Sequence, residues 1–170
     1  CWRPHGTTAM TSIDSFAGKP IAIYHEHPDW FRPLFAELDR REIPYVRLDA
    51  AAHTFDPSER TTPYSLVVNR ASPSAYLRGH AQSTFYTLHW LRHVERLGVP
   101  VVNGSDCYGY ELSKATQLDV LDSLGLPYPR SRVINDPAQA VSAAEGLRYP
   151  VLVKANIGGS GAGIVKYDSP

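Results

Sequence analysis

The fold of the second half of the chain is decided by residues 150–167, whose sequence is PVLVKANIGGSGAGIVKY. Two short runs rich in β-branched residues flank a segment with four glycines in six positions, which predicts a hairpin with a glycine-rich tip. Backbone amides in such a tip can point at phosphate oxygens, and Lys154 at the end of the first strand adds a positive charge. The alternative is a flexible hairpin that carries a lysine by chance.

Two familiar phosphate-binding motifs are excluded in this stretch. The lysine precedes the glycines, so there is no Gly-Lys-Ser/Thr sequence of a P-loop, and the glycine spacing fails the G-x-G-x-x-G register. Any anion site in this hairpin is therefore neither a P-loop nor a G-x-G-x-x-G turn.

Upstream of this hairpin, strands and helices alternate. Apolar runs predict strands at 20–24, 44–48, 65–69 and 101–102, and helical spacing predicts helices at 30–38 and 84–97. Asp29 is a candidate cap for the first helix, and the second has Phe85, Leu88, Leu91 and Val94 as its predicted inner face. The alternation predicts an α/β fold with a small open, mostly parallel sheet.

Ligands of open parallel sheets gather beyond the carboxyl ends of the strands. His25, Arg70 and Asn103 follow three of the predicted strands at that edge. A guanidinium suits a carboxylate, so Arg70 is a candidate substrate contact, with a surface salt bridge as the alternative. His25 is a second candidate, against the alternative of an ordinary loop histidine.

After residue 110 the pattern changes. An apolar stripe predicts a helix from Leu112 to Leu124, followed by Gly125-Leu126-Pro127-Tyr128-Pro129, which cannot continue it. A short strand is predicted at 132–134, and Asp136-Pro137 predicts the start of a helix that runs to Leu147.

Residues 113–165 resemble the ATP-grasp superfamily. The family's first lobe has a lysine-bearing helix, a Gly-Ile-Pro-x-Pro-like turn, a strand ending in lysine and a glycine-rich flap, in this order. The chain has Ser113-Lys114, then 125–129, then Pro150 to Lys154, then Gly158 to Gly163, at similar spacing. The chain departs from the family at two positions. Ala155 stands where the family often has proline, and Ser113 stands where the family usually has aspartate. The sheet upstream resembles the Rossmann-like pre-ATP-grasp domain of the glutathione synthase and ribosomal-protein glutamate ligase branch.

The resemblance implies a site for ATP. It makes Lys114 and Lys154 the cations that hold the phosphates. The flap residues that it implies are Gly158, Gly159, Ser160, Gly161 and Gly163. The reaction it implies is formation of an acyl-phosphate from ATP and a small-molecule or peptide carboxylate, followed by attack of an amine or thiol. Magnesium is the implied metal, with ligands expected downstream of Pro170, so no catalytic set is complete and the 170 residues are expected to be inactive alone.

Two other functions compete with the ligase. One is a non-catalytic nucleotide-binding or regulatory module with the same lysines and flap. The other is a Rossmann-like oxidoreductase, which needs a glycine turn after the first strand, where His25-Glu26-His27-Pro28 stands instead. A zinc site at His89 and His93, four apart on one helix, lacks a third ligand.

Composition limits the remaining partners. The 17 basic and 17 acidic residues cancel, which removes the broad positive field of nucleic-acid binding, and no apolar run reaches the length of a membrane span. Two distant cysteines favour the cytoplasm. Homo-oligomer formation is left open. The sequence predicts a disordered leader at 1–19 with Met10 as the true start, a pre-ATP-grasp domain at 20–110 and the first ATP-grasp lobe at 111–170.

Overall fold

The computed structural model describes residues 17–158, 161 and 163–169, so most of the predicted leader and the choice of Met10 lie outside the described residues. The fold is mixed α/β, as the sequence predicts. Two 3₁₀ segments, Pro73–Arg78 and Pro137–Gln139, accompany the main elements. In chain order these are β1 (Ile21–His25), α1 (Arg32–Arg40), β2 (Tyr45–Asp49), β3 (Leu66–Asn69), α2 (Ala81–Arg96), β4 (Val101–Val102), α3 (Ser105–Glu111), α4 (Lys114–Ser123), α5 (Ala140–Ala144), β5 (Val151–Lys154) and β6 (Ile164–Tyr167).

The first four strands form one parallel sheet in the order β2-β1-β3-β4. β1 lies at its centre, with Tyr24 opposite both Leu48 of β2 and Asn69 of β3. The carboxyl ends of β1, β3 and β4 therefore meet at one edge, where His25 is the last residue of β1 and Arg70 and Asn103 follow β3 and β4.

Each face of this sheet is covered by helices. On one face, Ala22 and Tyr24 of β1 pack in a core with Trp90 and Leu91 of α2. On the other face, Ile23 packs against α1. Because successive side chains of a strand point to opposite faces, a central strand covered on both sides is apolar throughout.

The second half of the chain is more open. β5 and β6 pair only with each other, antiparallel, with Lys154 opposite Ile164, which confirms the predicted hairpin. No described residue after Tyr108 is buried. Among the described residues, no helix combines the length and the apolar character that crossing a bilayer requires.

Several helix predictions need correction. Phe85 is 66% exposed, because the buried face of α2 runs through Thr84, Thr87, Leu91 and Val94 instead. Asp29 does not cap α1, whose N-cap residue is Phe31 without a side-chain cap. Helix α3 was not predicted, since its seven residues are too few to show a helical period.

The region after α4 also differs from prediction. The predicted strand at 132–134 is absent from the described structure, because no neighbouring backbone pairs with it there. Asp136 does form the predicted cap, in a capping box with Gln139. The helix it starts ends at Ala144 rather than Leu147, because Gly146 takes a positive φ of 72°.

Candidate functional site

The first part of the candidate site is the carboxyl edge of the parallel sheet. The side-chain amide of Asn69 donates to the carbonyl of Asn103 at 3.0 Å, and that of Asn103 donates to the carbonyl of Asn69 at 3.1 Å. Asn103 has a φ of 55°, a left-handed backbone that asparagine tolerates better than most residues. This reciprocal pair fixes the turns that follow β3 and β4.

Arg70 lies on this edge with an exposed side chain. Its backbone amide donates to the carbonyl of Tyr24 at 2.7 Å, which places it beside the end of β1. Its guanidinium lies 5.3 Å from the ring centre of Phe31, and within the described part of the chain it makes no salt bridge. Arg70 is also near Glu111, since burial raises the pKa of Glu111 and the charge of Arg70 partly offsets that rise. Both the substrate contact and the surface charge pair therefore stay predictions for Arg70.

His25 is half-buried beside Arg70. Its ring centre lies 5.6 Å from that of Phe31 and 5.3 Å from that of Phe35, and its Nδ1 lies 3.3 Å from the carbonyl oxygen of His27. Aromatic packing therefore orients the imidazole at the edge of the sheet, next to the Arg70 position.

Glu26 was missed as a functional candidate. Its side chain is only 1% exposed and pairs with Arg78, whose Nε donates to both carboxylate oxygens at 2.9 Å, and with His80 Nδ1 at 2.6 Å. Burial by itself would raise the pKa of Glu26, but the hydrogen bonds from Arg78 and His80 outweigh it and lower the pKa below 4.5. The clue in the sequence was a carboxylate directly after a buried strand.

This buried ion pair anchors the 3₁₀ segment Pro73–Arg78 to the end of β1. Ser72 caps the segment by accepting from the amide of Ser74, and Gly79 ends it with a φ of 83°. The segment also carries Tyr76, whose hydroxyl lies 3.0 Å from the position a Cβ would take at Gly158. It thus links the sheet edge with the start of the glycine-rich loop.

The second part of the candidate site is the hairpin and the start of α4. Lys114 is the first residue of α4, and its ammonium nitrogen lies 3.4 Å from the carbonyl oxygen of Gly158. Lys154 is the last residue of β5 and is exposed. Two residues later, Asn156 accepts from the amides of both Lys114 and Ala115. The predicted helix lysine and the start of the predicted flap therefore lie together.

The flap is described in part. Gly158, Gly161 and Gly163 have φ values of 137°, 74° and 70°, which side chains rarely adopt. Gly159 and Ser160 lie outside the described residues. Glycines with positive φ occur in loops whose backbone amides bind anions.

No metal centre is visible in the part of the chain that the structure describes. No group of three or more His, Cys, Asp or Glu side chains could hold an ion there. His89 is exposed whereas His93 is buried against Phe55, so the two histidines do not share an environment.

Comparison with solved structures identifies the fold. A RimK domain ATP-grasp protein from Sphaerobacter thermophilus superposes with a TM-score of 0.66 and 17% identity over 88% of this chain and 54% of its own. The ATP-grasp ligase PsnB in complex with a minimal precursor gives 0.60 and 20%, over 88% and 56%. The chain has the ATP-grasp fold. PsnB with precursor peptide PsnA2 and AMPPNP gives 0.57 and 18%, over 88% and 57%.

A curated relative covers a smaller part of the chain. The carbamoyl phosphate synthase large chain, C-terminal section, of Methanopyrus kandleri is 49% identical over 51 residues, which is 29% of this chain and 9% of that protein. No family model matches the sequence. The chain thus spans about half the length of its structural neighbours and a small part of this relative.

Proposed function

We propose that the protein is an ATP-dependent ligase that activates a carboxylate as an acyl-phosphate and joins it to an amine or thiol. The observation that carries the proposal is the 3.4 Å approach of the Lys114 ammonium to the Gly158 carbonyl, which brings a helix lysine to the glycine-rich loop. The ATP-grasp fold of the neighbours supports the same reaction class.

Lys114 and Lys154 are the proposed phosphate contacts. An ammonium group is a compact charge that interacts with any phosphate oxygen, and two of them from separate elements would offset much of a triphosphate's charge. The amides of residues 158–163 would close over the phosphates and exclude water during transfer. In this role the lysines act electrostatically and do not form a covalent bond to substrate.

The carboxylate substrate is proposed to bind at the sheet edge. Arg70 has an exposed guanidinium without a salt bridge among the described residues, and such a group binds a carboxylate through two parallel hydrogen bonds. His25, the last residue of the adjacent strand β1, is the proposed second contact. The complex of PsnB with precursor peptide PsnA2 and AMPPNP supports a peptide as one class of substrate, and a small-molecule carboxylate is the proposed alternative.

Magnesium would supply charge neutralisation between the phosphates when bound. The residues that the structure describes do not provide a cluster of carboxylates for it, so no residue of this part of the chain is assigned to the metal. We also propose that the chain divides into two domains near residue 110 and that the protein is cytoplasmic.

Nucleotide binding tests the proposal directly. In the intact protein, we expect Lys154→Ala and Lys114→Ala each to weaken ATP binding by roughly 1 to 3 kcal/mol, the scale for losing a charged hydrogen-bond partner. Isothermal titration with ATP and Mg²⁺ measures the dissociation constant. Lys166→Ala is the matched control, because Lys166 lies on β6 and pairs with Asp168 at 2.6 Å. An unchanged dissociation constant in both test variants would rule the assignment out.

The 170-residue chain by itself is expected to make no amide bond from ATP and any carboxylate. Turnover in that sample, measured as ADP or phosphate release that depends on the carboxylate, would show that the proposed need for further magnesium ligands is wrong.

A further inference from the structure

The start of α4 has an unusual set of hydrogen-bond partners. The first amides of any α-helix lack partners within the helix and need others. Here the hydroxyl of Ser113 accepts from Thr116 at 3.1 Å, as an ordinary N-cap does. That leaves the amides of Lys114 and Ala115 to be satisfied from elsewhere.

Both amides are satisfied by one residue of the hairpin. The carbonyl oxygen of Asn156 accepts from the Lys114 amide at 3.0 Å, and its side-chain oxygen accepts from the Ala115 amide at 2.9 Å. Its side-chain nitrogen donates to the Ser113 hydroxyl at 3.2 Å. Asn156 and Ser113 therefore form a shared cap in which one member lies 43 residues further along the chain.

This cap joins the two lysine-bearing elements. Lys114 is the first residue of α4, and Lys154 lies two residues before Asn156. A lysine side chain is long and flexible, so where its ammonium reaches depends first on where its backbone is held. With the cap in place, the ammonium of Lys114 reaches the carbonyl of Gly158, two residues after Asn156.

We propose that Asn156 is a positioning residue: it caps α4 from the hairpin and thereby fixes Lys114 relative to the loop that follows Lys154. The hydrogen bonds of the cap do not depend on a ligand, whereas the effect of Asn156 on ATP binding rests on the function proposed above. Since the amides of Lys114 and Ala115 already have partners, the helix start offers ATP its lysine side chain rather than these two N–H groups.

A double-mutant cycle tests the effect on ATP. In the intact protein, Asn156→Ala is expected to raise the ATP dissociation constant about tenfold when Lys114 is present, but less than about twofold in a Lys114→Ala background. Equal losses in the two backgrounds would show that Asn156 does not act through Lys114 and would overturn the proposal. Asn135→Ala, at an exposed asparagine of the same half, is the control and should bind ATP as the parent does.

Amide hydrogen exchange without nucleotide tests the cap separately. Asn156→Ala should speed exchange at Lys114 and Ala115 about tenfold or more, because both contacts depend on the hairpin being held against the helix. Asn156→Asp keeps a side-chain acceptor for Ala115 and should preserve the protection. Unchanged exchange in Asn156→Ala overturns the cap. If the parent binds no ATP while these exchange results hold, the proposed function fails and the cap stands.

Discussion

The two halves of the chain are stabilised in different ways. Residues 20–110 enclose side chains on both faces of a parallel sheet, and Tyr24, Val67 and Leu91 have no exposed surface at all. In residues 111–169, the described side chains are at best half-buried, and Leu152 and Tyr167 of the hairpin are each 50% exposed. The first half is held by apolar burial, whereas the second half joins its hairpin to α4 through polar contacts at Ser113, Asn156 and Gly158.

This difference separates the rigid from the adaptable part of the candidate site. Each fully buried large apolar side chain contributes about 1.5 to 3 kcal/mol to the stability of the fold, so apolar burial stabilises the sheet whose edge carries Arg70. A segment with few buried apolar groups opens locally at low free energy. A hairpin of that kind suits a loop that has to admit a nucleotide and then close over it.

The largest predicted effect follows from a substitution in the core of the first half. Trp90 is 2% exposed and stacks on Tyr24 with ring centres 4.2 Å apart, so Trp90→Ala is expected to reduce the free energy of unfolding by about 3 to 5 kcal/mol. Tyr167→Ala in the hairpin should cost less than about 1 kcal/mol, because half of the ring already contacts water. Urea denaturation followed by circular dichroism measures both.

Phe85→Ala supplies the control within α2, since Phe85 lies on the same helix as Trp90 but is 66% exposed. It should leave the urea midpoint nearly unchanged. Similar losses for Trp90→Ala and Tyr167→Ala would contradict the contrast between the two halves.

The next effect concerns the ion pair that holds the sheet edge. Glu26→Gln is expected to cost about 2 kcal/mol, because it leaves the Arg78 guanidinium beside a neutral partner in a partly buried place. The pKa of Glu26 is lowered in the folded state, so the unfolded state binds more protons in acid. The stabilisation is complete above the ordinary pKa of 4.5 and is lost as the pH falls through the lower folded value.

Thermal melts between pH 3 and 7 measure this effect, and Glu26→Gln should flatten the decline of the melting temperature in acid. Glu37→Gln is the matched control, because Glu37 pairs with Arg40 and Arg41 on the exposed side of α1. If the two variants gave the same pH profile, the buried pair would not be what anchors the edge.

Much of the fold could be predicted from local sequence. Strand β1 is apolar from Ile21 to Tyr24 because both its faces are covered, and the glycine-rich hairpin has β-branched runs on either side of its tip. The errors fall where local pattern carries little information. Phe85 is apolar but points to water, since Thr84 and Thr87 occupy the buried face of α2, and α3 is too short for a period.

The candidate site divides in the same way. The sequence predicted that Lys114 and Gly158 belong to one site, because the chain resembles a known family in four features that occur in the same order. In the structure the Lys114 ammonium nitrogen lies 3.4 Å from the Gly158 carbonyl oxygen. The ion pair of Glu26 and the helix cap formed by Asn156 could not be predicted from the sequence. Their roles depend on partners 41 to 54 residues away, and no local spacing encodes such contacts.

The most local predicted effect lies where the two halves touch. Gly158 has a φ of 137°, and a Cβ there would lie 3.0 Å from the hydroxyl of Tyr76. Gly158→Ala therefore combines backbone strain of about 1 to 2 kcal/mol with a close contact to the 3₁₀ segment. We expect faster amide exchange and proteolysis confined to residues 155–158, with the urea midpoint of the sheet unchanged.

Two further variants separate the strain from the contact. Adding Tyr76→Phe to Gly158→Ala removes the hydroxyl and should recover the part of the protection that the contact cost. Gly161→Ala, with a φ of 74° and nothing within 4 Å of the added carbon, should show strain alone. If Tyr76→Phe recovers nothing, Tyr76 does not restrain the loop, and the contacts of Asn156 and Gly158 with the start of α4 remain as the observed links of the hairpin. If it does recover protection, Tyr76 restrains the start of the loop, so the sheet edge and the loop are in contact through the segment that Glu26 anchors.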